Sequence, residues 1–94
     1  MRVKWLRTAL ANLNAEAEYI AQDNPEAAAR IVTVIQRAVE NLKHFPAMGR
    51  PGRVMGTREL VITGTPYVVP YRVRNNAVEV LRVFHGARRW PNKF

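Results

Sequence analysis

The sequence predicts an α+β fold of element order β-α-α-β-β-β, in which a helical hairpin packs on one face of a small, mainly antiparallel sheet. Three observations predict it. Apolar residues recur at helical spacing through much of the first half of the chain. After residue 57 the period changes to two, and Val, Ile, Tyr and Leu dominate. A Pro- and Gly-rich stretch, residues 44–57, separates the halves, and the 94 residues suit one domain, 1–94.

The first half predicts a short strand and two helices. Residues 2–6 alternate polar and apolar side chains, as a short edge strand does. We expect the first helix over residues 8–22, with Thr8 as its N-cap. The second helix begins at Asn24-Pro25-Glu26, where Asn can cap, Pro fits the first helical position and Glu complements the helix dipole. It runs to about Lys43, and the short link predicts an antiparallel hairpin.

The second half predicts three strands, over residues 57–63, 67–73 and 77–84, because β-branched and aromatic residues dominate these runs. Turn residues separate them at 64–66 and 74–76. Pro70 interrupts the middle strand and cannot donate a ladder hydrogen bond, so we expect an edge or a bulge there. One face of this sheet packs on the helices, and the other is expected to be free.

The positive charge is concentrated in the predicted sheet. Residues 49–94 carry nine Arg or Lys against two acids, Glu59 and Glu79, whereas residues 1–48 carry six bases against five acids. The formal net charge of the chain is +8. A strongly positive sheet on a small chain predicts an anionic partner, which could be nucleic acid, a nucleoprotein machine or an acidic protein.

The composition also excludes several classes of protein. There is no Cys, so a disulfide framework and a thiolate metal site are excluded, and we expect no metal and no cofactor. No apolar run approaches the 18 residues of a membrane span. The first eight residues lack the apolar core of a secretory signal, so we expect no membrane association and a cytoplasmic location.

Strand periodicity assigns the candidate side chains to faces. Tyr67 and Tyr71 share parity with Val69, so they are expected to face the core with their hydroxyls at its rim. Arg72 and Arg74 have the opposite parity and are expected on the free face.

Arginines near the end of the chain each have two interpretations, and the carboxylates on the helices have one. Arg82 lies in an apolar row, so it either pairs with Glu59 or Glu79 or points into a site. Arg88 and Arg89 are either a solvated tail or, beside Trp90, a contact with a partner. The helical carboxylates are expected to lie in solvent; they are Glu16, Glu18 and Glu40.

Four motifs together resemble the RelE/ParE superfamily, the toxins of bacterial type II toxin–antitoxin modules. They are G-R-P-G at 49–52, T-R-E-L at 57–60, P-Y-x-x-x-Y-R-V at 66–73 and H-x-x-R-R-W-P at 85–91. With the N-P-E-A-A start of the second helix, the resemblance covers nearly the whole chain. It implies a small cytosolic poison that a cognate antitoxin wraps and neutralises.

The superfamily divides by target, and the resemblance is closer to the ParE-like members, which block DNA gyrase. The alternative is a RelE-like enzyme that cuts mRNA on the ribosome without a metal. Such chemistry needs a base, an acid and cations for the transition-state phosphate. His85 would move protons, and Arg58, Arg72 and Arg82 would hold phosphate. Residues 44–57 lack the Glu that YoeB-like members use as base, and His85 could instead cap a turn.

The ParE-like hypothesis predicts that the basic sheet and tail contact gyrase or the antitoxin. The candidate residues are Arg50, Arg53, Arg72, Arg74, Arg88, Arg89 and Trp90. We expect the antitoxin to be acidic and amphipathic and to lie across the sheet or along the helical hairpin. If the chain is RelE-like, its partners are the ribosome and mRNA. A third alternative is a degenerate toxin that is kept as a regulatory partner.

Overall fold

The computed structural model describes residues 1–87 and 90–94, and it confirms the α+β fold. In the described part of the chain, two helices pack against a six-stranded, mixed and mainly antiparallel sheet. The elements are β1 Arg2–Trp5, α1 Arg7–Ala21, α2 Pro25–Glu40, β2 Arg50–Pro51, β3 Arg58–Val61, β4 Tyr67–Arg74, β5 Ala77–Val80 and β6 Phe84–His85. A 3₁₀ turn, Asn41–Lys43, extends α2. None of the helices in the described ranges is long and apolar enough to cross a bilayer.

The strand order is β1-β5-β4-β3-β2, so the first strand lies beside one of the last. β1 pairs with β5 in parallel, and the other pairs are antiparallel. The short β6 pairs with the beginning of β4, whereas β5 pairs with its end. β4 is therefore the central strand, and it pairs with three others: β3, β5 and β6.

The helix starts differ in how they are capped. The Oδ1 atom of Asn24 accepts a hydrogen bond from the Ala27 N–H at 3.1 Å, and Pro25 occupies the first helical position, as the sequence predicts. Thr8 as the cap of α1 was wrong, because α1 begins at Arg7 with Leu6 as a cap that makes no side-chain bond. The Leu6 N–H still donates to the Val80 carbonyl at 3.0 Å, so β1 leads directly into the helix.

Pro70 explains why the last predicted strand is broken. Residues 77–84 were expected to be one strand, but β5 ends at Val80 and β6 begins at Phe84. The Pro70 carbonyl accepts from the Leu81 N–H at 2.9 Å, so Pro70 faces this neighbour and has no N–H to return a bond. The ladder stops there and resumes in β6 with the register shifted by one residue, as at a bulge; the edge position that was the other expectation for Pro70 was wrong, because β4 lies inside the sheet.

The two faces of the sheet have different surroundings. The face toward the helices carries core residues, among them Leu60, Val69, Tyr71, Val78 and Val80. We call the opposite face, with Glu59, Val68, Pro70, Arg72, Arg74, Glu79 and their strand neighbours, the outer face. Its first half is not free, as had been expected, since Val68 and Pro70 are buried. Phe84 pairs with Val68 there, and the rings of Trp90 and Phe94 pack on Phe84.

Candidate functional site: the outer face of the sheet

Glu59 organises the loop before the sheet. Its carboxylate is 2% exposed. Oε1 accepts hydrogen bonds from Arg50, from Nη2 at 2.9 Å and from Nε at 3.2 Å. Oε2 accepts the Arg53 backbone N–H at 2.7 Å and lies 3.6 Å from Arg53 Nε. Because a buried carboxylate must be compensated by partners of this kind, Arg50 and Arg53 are held side by side at this end of the outer face.

Glu79 gathers a second pair of arginines on the outer face. Its Oε1 accepts from Arg72 Nε at 2.7 Å and lies 3.3 Å from Arg74 Nε. The hydrogen bond from Arg72 lowers the pKa of Glu79 below its ordinary 4.5; burial opposes this, and the charges of Arg74 and Lys4 add to it. Both arginines lie on the face that strand parity predicts, and their side chains remain 33% and 56% exposed.

The two carboxylates are each shared by two guanidiniums, so both clusters stay positive. Arg50 and Arg53 surround Glu59, and Arg72 and Arg74 surround Glu79. One negative charge cannot cancel two positive ones, and all four guanidiniums keep an exposed part. The outer face therefore presents excess positive charge even though its arginines are ion-paired.

An aromatic cluster lies between the loop and the end of the chain. The ring centroid of Phe84 is 4.9 Å from that of Trp90 and 6.1 Å from that of Phe94. The guanidinium of Arg53 lies over Trp90, and that of Arg82 lies over Phe94 at 5.3 Å. The Nε1 of Trp90 is buried and finds no hydrogen-bond partner among the described residues. Arg88 and Arg89, the other candidates in this segment, lie outside the described residues.

In the part of the chain that the structure describes, Arg82 does not form the ion pair with Glu59 or Glu79 that was one of its two expected arrangements. Its Nη1 donates to the Leu81 carbonyl at 2.7 Å, and its guanidinium lies over the ring of Phe94. In the described ranges no ion pair joins it to Glu59 or Glu79. Arg82 therefore contacts the ring of Phe94, which strand parity alone did not indicate.

Arg58 and His85 are engaged in local contacts at separate places. Arg58 Nη1 donates to the carbonyls of Gly49 at 2.8 Å and Ala47 at 3.3 Å. His85 Nδ1 accepts a hydrogen bond from the Ala87 N–H at 3.3 Å, which caps a turn. The His85 and Tyr67 rings form a T-shaped contact with their centroids 5.9 Å apart.

The strand register measures the separation of these two candidates. Arg58 pairs with Tyr71 and His85 pairs with Tyr67, on opposite sides of β4. Four residues of a strand span about 13 Å, and the two neighbours of a strand lie about 10 Å apart. The backbone therefore does not bring Arg58 and His85 together.

Tyr71 is a functional candidate of another kind, because it fixes the segment that leads into β2, the strand that carries Arg50. Its hydroxyl donates to the Pro46 carbonyl at 2.7 Å and accepts the Gly49 N–H at 2.8 Å. A Cβ at Gly49 would lie 2.6 Å from the Tyr71 ring, so a larger residue does not fit. Burial raises the pKa of Tyr71, while Gly49 and Arg58 act in the opposite direction. The G-R-P-G motif, which begins at Gly49, was the feature of the sequence that could have indicated this contact.

Glu16 was expected in solvent, and this was wrong. It is 9% exposed, and its Oε1 accepts a hydrogen bond from the Tyr67 hydroxyl at 3.1 Å. Glu16 follows Leu13 by three residues and precedes Ile20 by four, so it lies on the buried stripe of α1. This spacing in the sequence could have identified Glu16 as a buried residue. Glu18 and Glu40 are exposed, as predicted.

The chain matches known proteins over nearly its whole length. The model of the ParE toxin of type II toxin–antitoxin systems, parDE, matches residues 3–90. The protein Y4kP of Sinorhizobium fredii is 47% identical over 96% of this chain and 93% of its own length. Toxin RelE2 of Caulobacter vibrioides is 38% identical over 93% of this chain and 97% of its own.

A solved structure gives the same result for the fold. In the chromosomal ParDE TA system from P. aeruginosa, one chain superposes with a TM-score of 0.82 and 33% identity. The match covers 90% of this chain and 95% of that one. The resemblance carried by the four sequence motifs is thus confirmed, and this chain belongs to the ParE toxin family of type II toxin–antitoxin systems.

Proposed function

We propose that this toxin arrests bacterial growth by inhibiting DNA gyrase, and that a cognate acidic antitoxin neutralises it. The observation that carries the proposal is the dispersal of the ribonuclease candidates. His85 and Arg58 are separated by four residues along β4 and lie on opposite sides of it. A metal-free ribonuclease must converge an acid, a base and cations on one phosphate. A toxin that acts by binding needs only a surface. Since gyrase works on chromosomal DNA, the site of action is the cytoplasm.

The outer face supplies the binding surface in this proposal. Arg50 and Arg53 are held by Glu59, and Trp90 lies against Arg53, so cations and an aromatic ring are presented together. Arg and Trp are frequent among the residues that contribute most to protein interfaces. Arg72 and Arg74 extend the positive charge along β4. Arg88 and Arg89 remain candidates on sequence grounds.

The proposed binding site of the antitoxin is a groove at the edge of the sheet, next to Arg50. A groove of about 440 Å³ runs between α2 and β3, and its lining includes Val34, Ala38, Met48, Leu60 and Ile62. Arg50 lines the same groove, so an amphipathic acidic segment would find both apolar contacts and a cation there. Binding in this groove would place the partner beside the loop that Tyr71 and Glu59 hold.

A gyrase supercoiling reaction tests the proposal. We expect micromolar purified toxin to abolish supercoiling of relaxed plasmid or to trap cleaved DNA. Arg50→Gln/Arg53→Gln should weaken inhibition at least about tenfold, because it removes two of the cations that the binding surface presents. The matched control is Arg30→Gln/Arg37→Gln, which removes two exposed cations from α2. Full supercoiling at micromolar toxin would refute gyrase as the target.

Ribosome-dependent mRNA cleavage is the second candidate function, and the names of two relatives favour it. Toxin RelE2 and toxin RelE1 of Caulobacter vibrioides are 38% and 33% identical to this chain. Toeprinting on programmed ribosomes would reveal A-site cuts by the wild type. If His85 is catalytic, His85→Ala abolishes those cuts; if the toxin acts on gyrase, no cuts appear and His85→Ala still blocks supercoiling.

A further inference from the structure

We propose that the end of the outer face formed by Arg2, Lys4, Arg72 and Arg74 around Glu79 binds the phosphate backbone of nucleic acid. We call these five residues the four-cation patch. The inference goes beyond the proposed function, because it holds whether the toxin acts on gyrase or on the ribosome. It concerns direct contact with DNA or RNA, without reading of base sequence.

The strand register builds the patch. Arg72 pairs with Glu79 across β4 and β5, and Glu79 pairs with Lys4 across β5 and β1. The next row is Arg74, Ala77 and Arg2. Residues paired across strands point to the same face, so all four cations lie on the outer face. Rows two residues apart are about 7 Å apart, and β4 lies about 10 Å from β1, which sets the size of the array.

The charge of the patch is compensated only in part. Four cations surround one carboxylate, and Lys4 is close enough to help lower the pKa of Glu79. Arg2, Lys4 and Arg74 are exposed, and Arg72 is partly exposed. Ala77 and Glu79, which lie between the cations of β4 and β1 and form the floor of the patch, project little into solvent, since they are 2% and 6% exposed. A linear polyanion can therefore approach the four cations without meeting a bulky side chain.

Glu79 holds the two arginines in an orientation that suits phosphate. Both guanidiniums direct Nε toward the same oxygen of Glu79, at 2.7 and 3.3 Å. Among the described residues, no hydrogen bond occupies the terminal nitrogens of Arg72 or Arg74. Those nitrogens remain available to bind phosphate oxygens, and a preoriented guanidinium loses less side-chain entropy on binding.

Nucleic acid suits the patch better than an acidic polypeptide does. An amphipathic peptide needs apolar anchors beside its charges, and the floor of the patch offers only Ala77. The apolar groove at α2 and β3 and the aromatic cluster at Phe84 both involve other residues. A row of phosphates needs cations alone, and its binding is dominated by release of counterions.

Fluorescence anisotropy with a labelled 20-base-pair DNA duplex tests the inference. We expect Arg72→Gln/Arg74→Gln to weaken binding about tenfold or more at moderate salt, and to reduce the slope of log K against log salt by about 2. Because Arg72→Gln also unpairs Glu79, a second variant, Arg2→Gln/Lys4→Gln, leaves that carboxylate paired. It should also lose affinity and salt dependence.

The matched control is Arg30→Gln/Arg37→Gln, which lowers the net charge by the same amount on α2. Its binding should change less than about threefold and its salt slope should not change. Equal losses in patch and control variants would overturn the inference, because binding would then follow net charge alone. A single-stranded RNA of the same length distinguishes the two polyanions, and binding of either supports the patch.

Competition with an acidic polypeptide decides the class of partner. Polyglutamate with the same number of charges should displace the duplex only at a much higher concentration. If it competes equally and its binding is lost in Arg72→Gln/Arg74→Gln, the patch serves an acidic protein and the inference fails. None of these measurements uses gyrase, so a negative supercoiling reaction would leave their outcome unaffected.

Discussion

The guanidinium of Arg53 lies over the indole ring of Trp90, with its Cζ 3.8 Å from the ring centroid. The contact joins two segments that are far apart in sequence, the loop before the sheet and the end of the chain. Arg53 is itself held by Glu59, which accepts its backbone N–H at 2.7 Å. The buried carboxylate of Glu59 thus positions the cation on which Trp90 packs, and the loop and the chain end form one surface.

Removal of this contact should make the Trp90 ring more accessible to solvent. Cation–π contacts stabilise by about 0.5–2 kcal/mol, so Arg53→Ala should shift Trp90 toward solvent. In a Trp5→Phe background Trp90 is the remaining tryptophan. We expect red-shifted emission and stronger acrylamide quenching than in the parent protein, with Phe84 still packed on the indole ring. Arg30→Ala, on the exposed side of α2, is the control; equal quenching in both variants would contradict the contact.

The Tyr71 hydroxyl should contribute measurably to stability. Tyr71→Phe leaves the Gly49 N–H and the Pro46 carbonyl without their partner, which costs about 1–3 kcal/mol. Urea unfolding at neutral pH measures the loss. Tyr19→Phe, at a residue that is 68% exposed, should change stability by less than about 0.5 kcal/mol. A Tyr71→Phe protein as stable as the wild type would show that the loop is held by other contacts.

Glu79 should give the fold a specific dependence on acid. Its folded-state pKa lies below the ordinary 4.5, chiefly because of the hydrogen bond from Arg72. The ionised group therefore stabilises the fold fully above about pH 5, and this stabilisation is lost as the pH falls through the folded pKa. Urea midpoints from pH 7 to pH 3 should fall more steeply in the wild type than in Glu79→Gln.

The control for the acid dependence is Glu18→Gln, which removes an exposed carboxylate from α1. The curve of this control should run parallel to that of the wild type. Glu79→Gln should be less stable at pH 7, because the ion pairs to Arg72 and Arg74 are gone, and should approach the wild type in acid. Parallel curves for all three proteins would contradict the role of the Arg72 hydrogen bond.

The cap of α2 should be worth about 1 kcal/mol. Asn24→Ala removes the oxygen that accepts the Ala27 N–H, and N-cap losses of this kind cost about 0.5–2 kcal/mol. Thermal or urea unfolding measures the change. Asn14→Ala, at an exposed position inside α1, is the matched substitution and should be neutral or slightly stabilising, since Ala favours a helix interior. A loss of equal size at Asn14 would argue against capping.

Periodicity predicted the long helices and strands, because the residues that share one face of such an element are only two to four positions apart in sequence. The helical spacing of Ile35 and Val39 and the alternation of Tyr67, Val69 and Tyr71 were both sufficient. The two-residue strand β2 was missed, since it exists only through its pairing with β3. Pro70 indicated that the ladder is irregular near it, but only the structure shows that the break lies in the neighbouring strand, between Val80 and Phe84.

The candidate site was predicted in part. Strand parity placed Arg72 and Arg74 correctly, because the partner of each residue in β4 follows from the pleat. Parity could not reveal that Arg53 lies over Trp90 or Arg82 over Phe94, because both contacts join segments outside regular strands. It also could not show that Glu59 is buried with three donors around it, since burial there depends on how the loop closes.

The parallel pairing of β1 with β5 has a consequence for biosynthesis. Arg2 pairs with Ala77, so β1 gains its partner strand only after residues 77–80 have been synthesised. Contacts so distant in sequence form late in folding. The sheet is therefore closed only after residues 77–80 have been synthesised, and a nascent chain that stalls before them lacks the strand that pairs with β1.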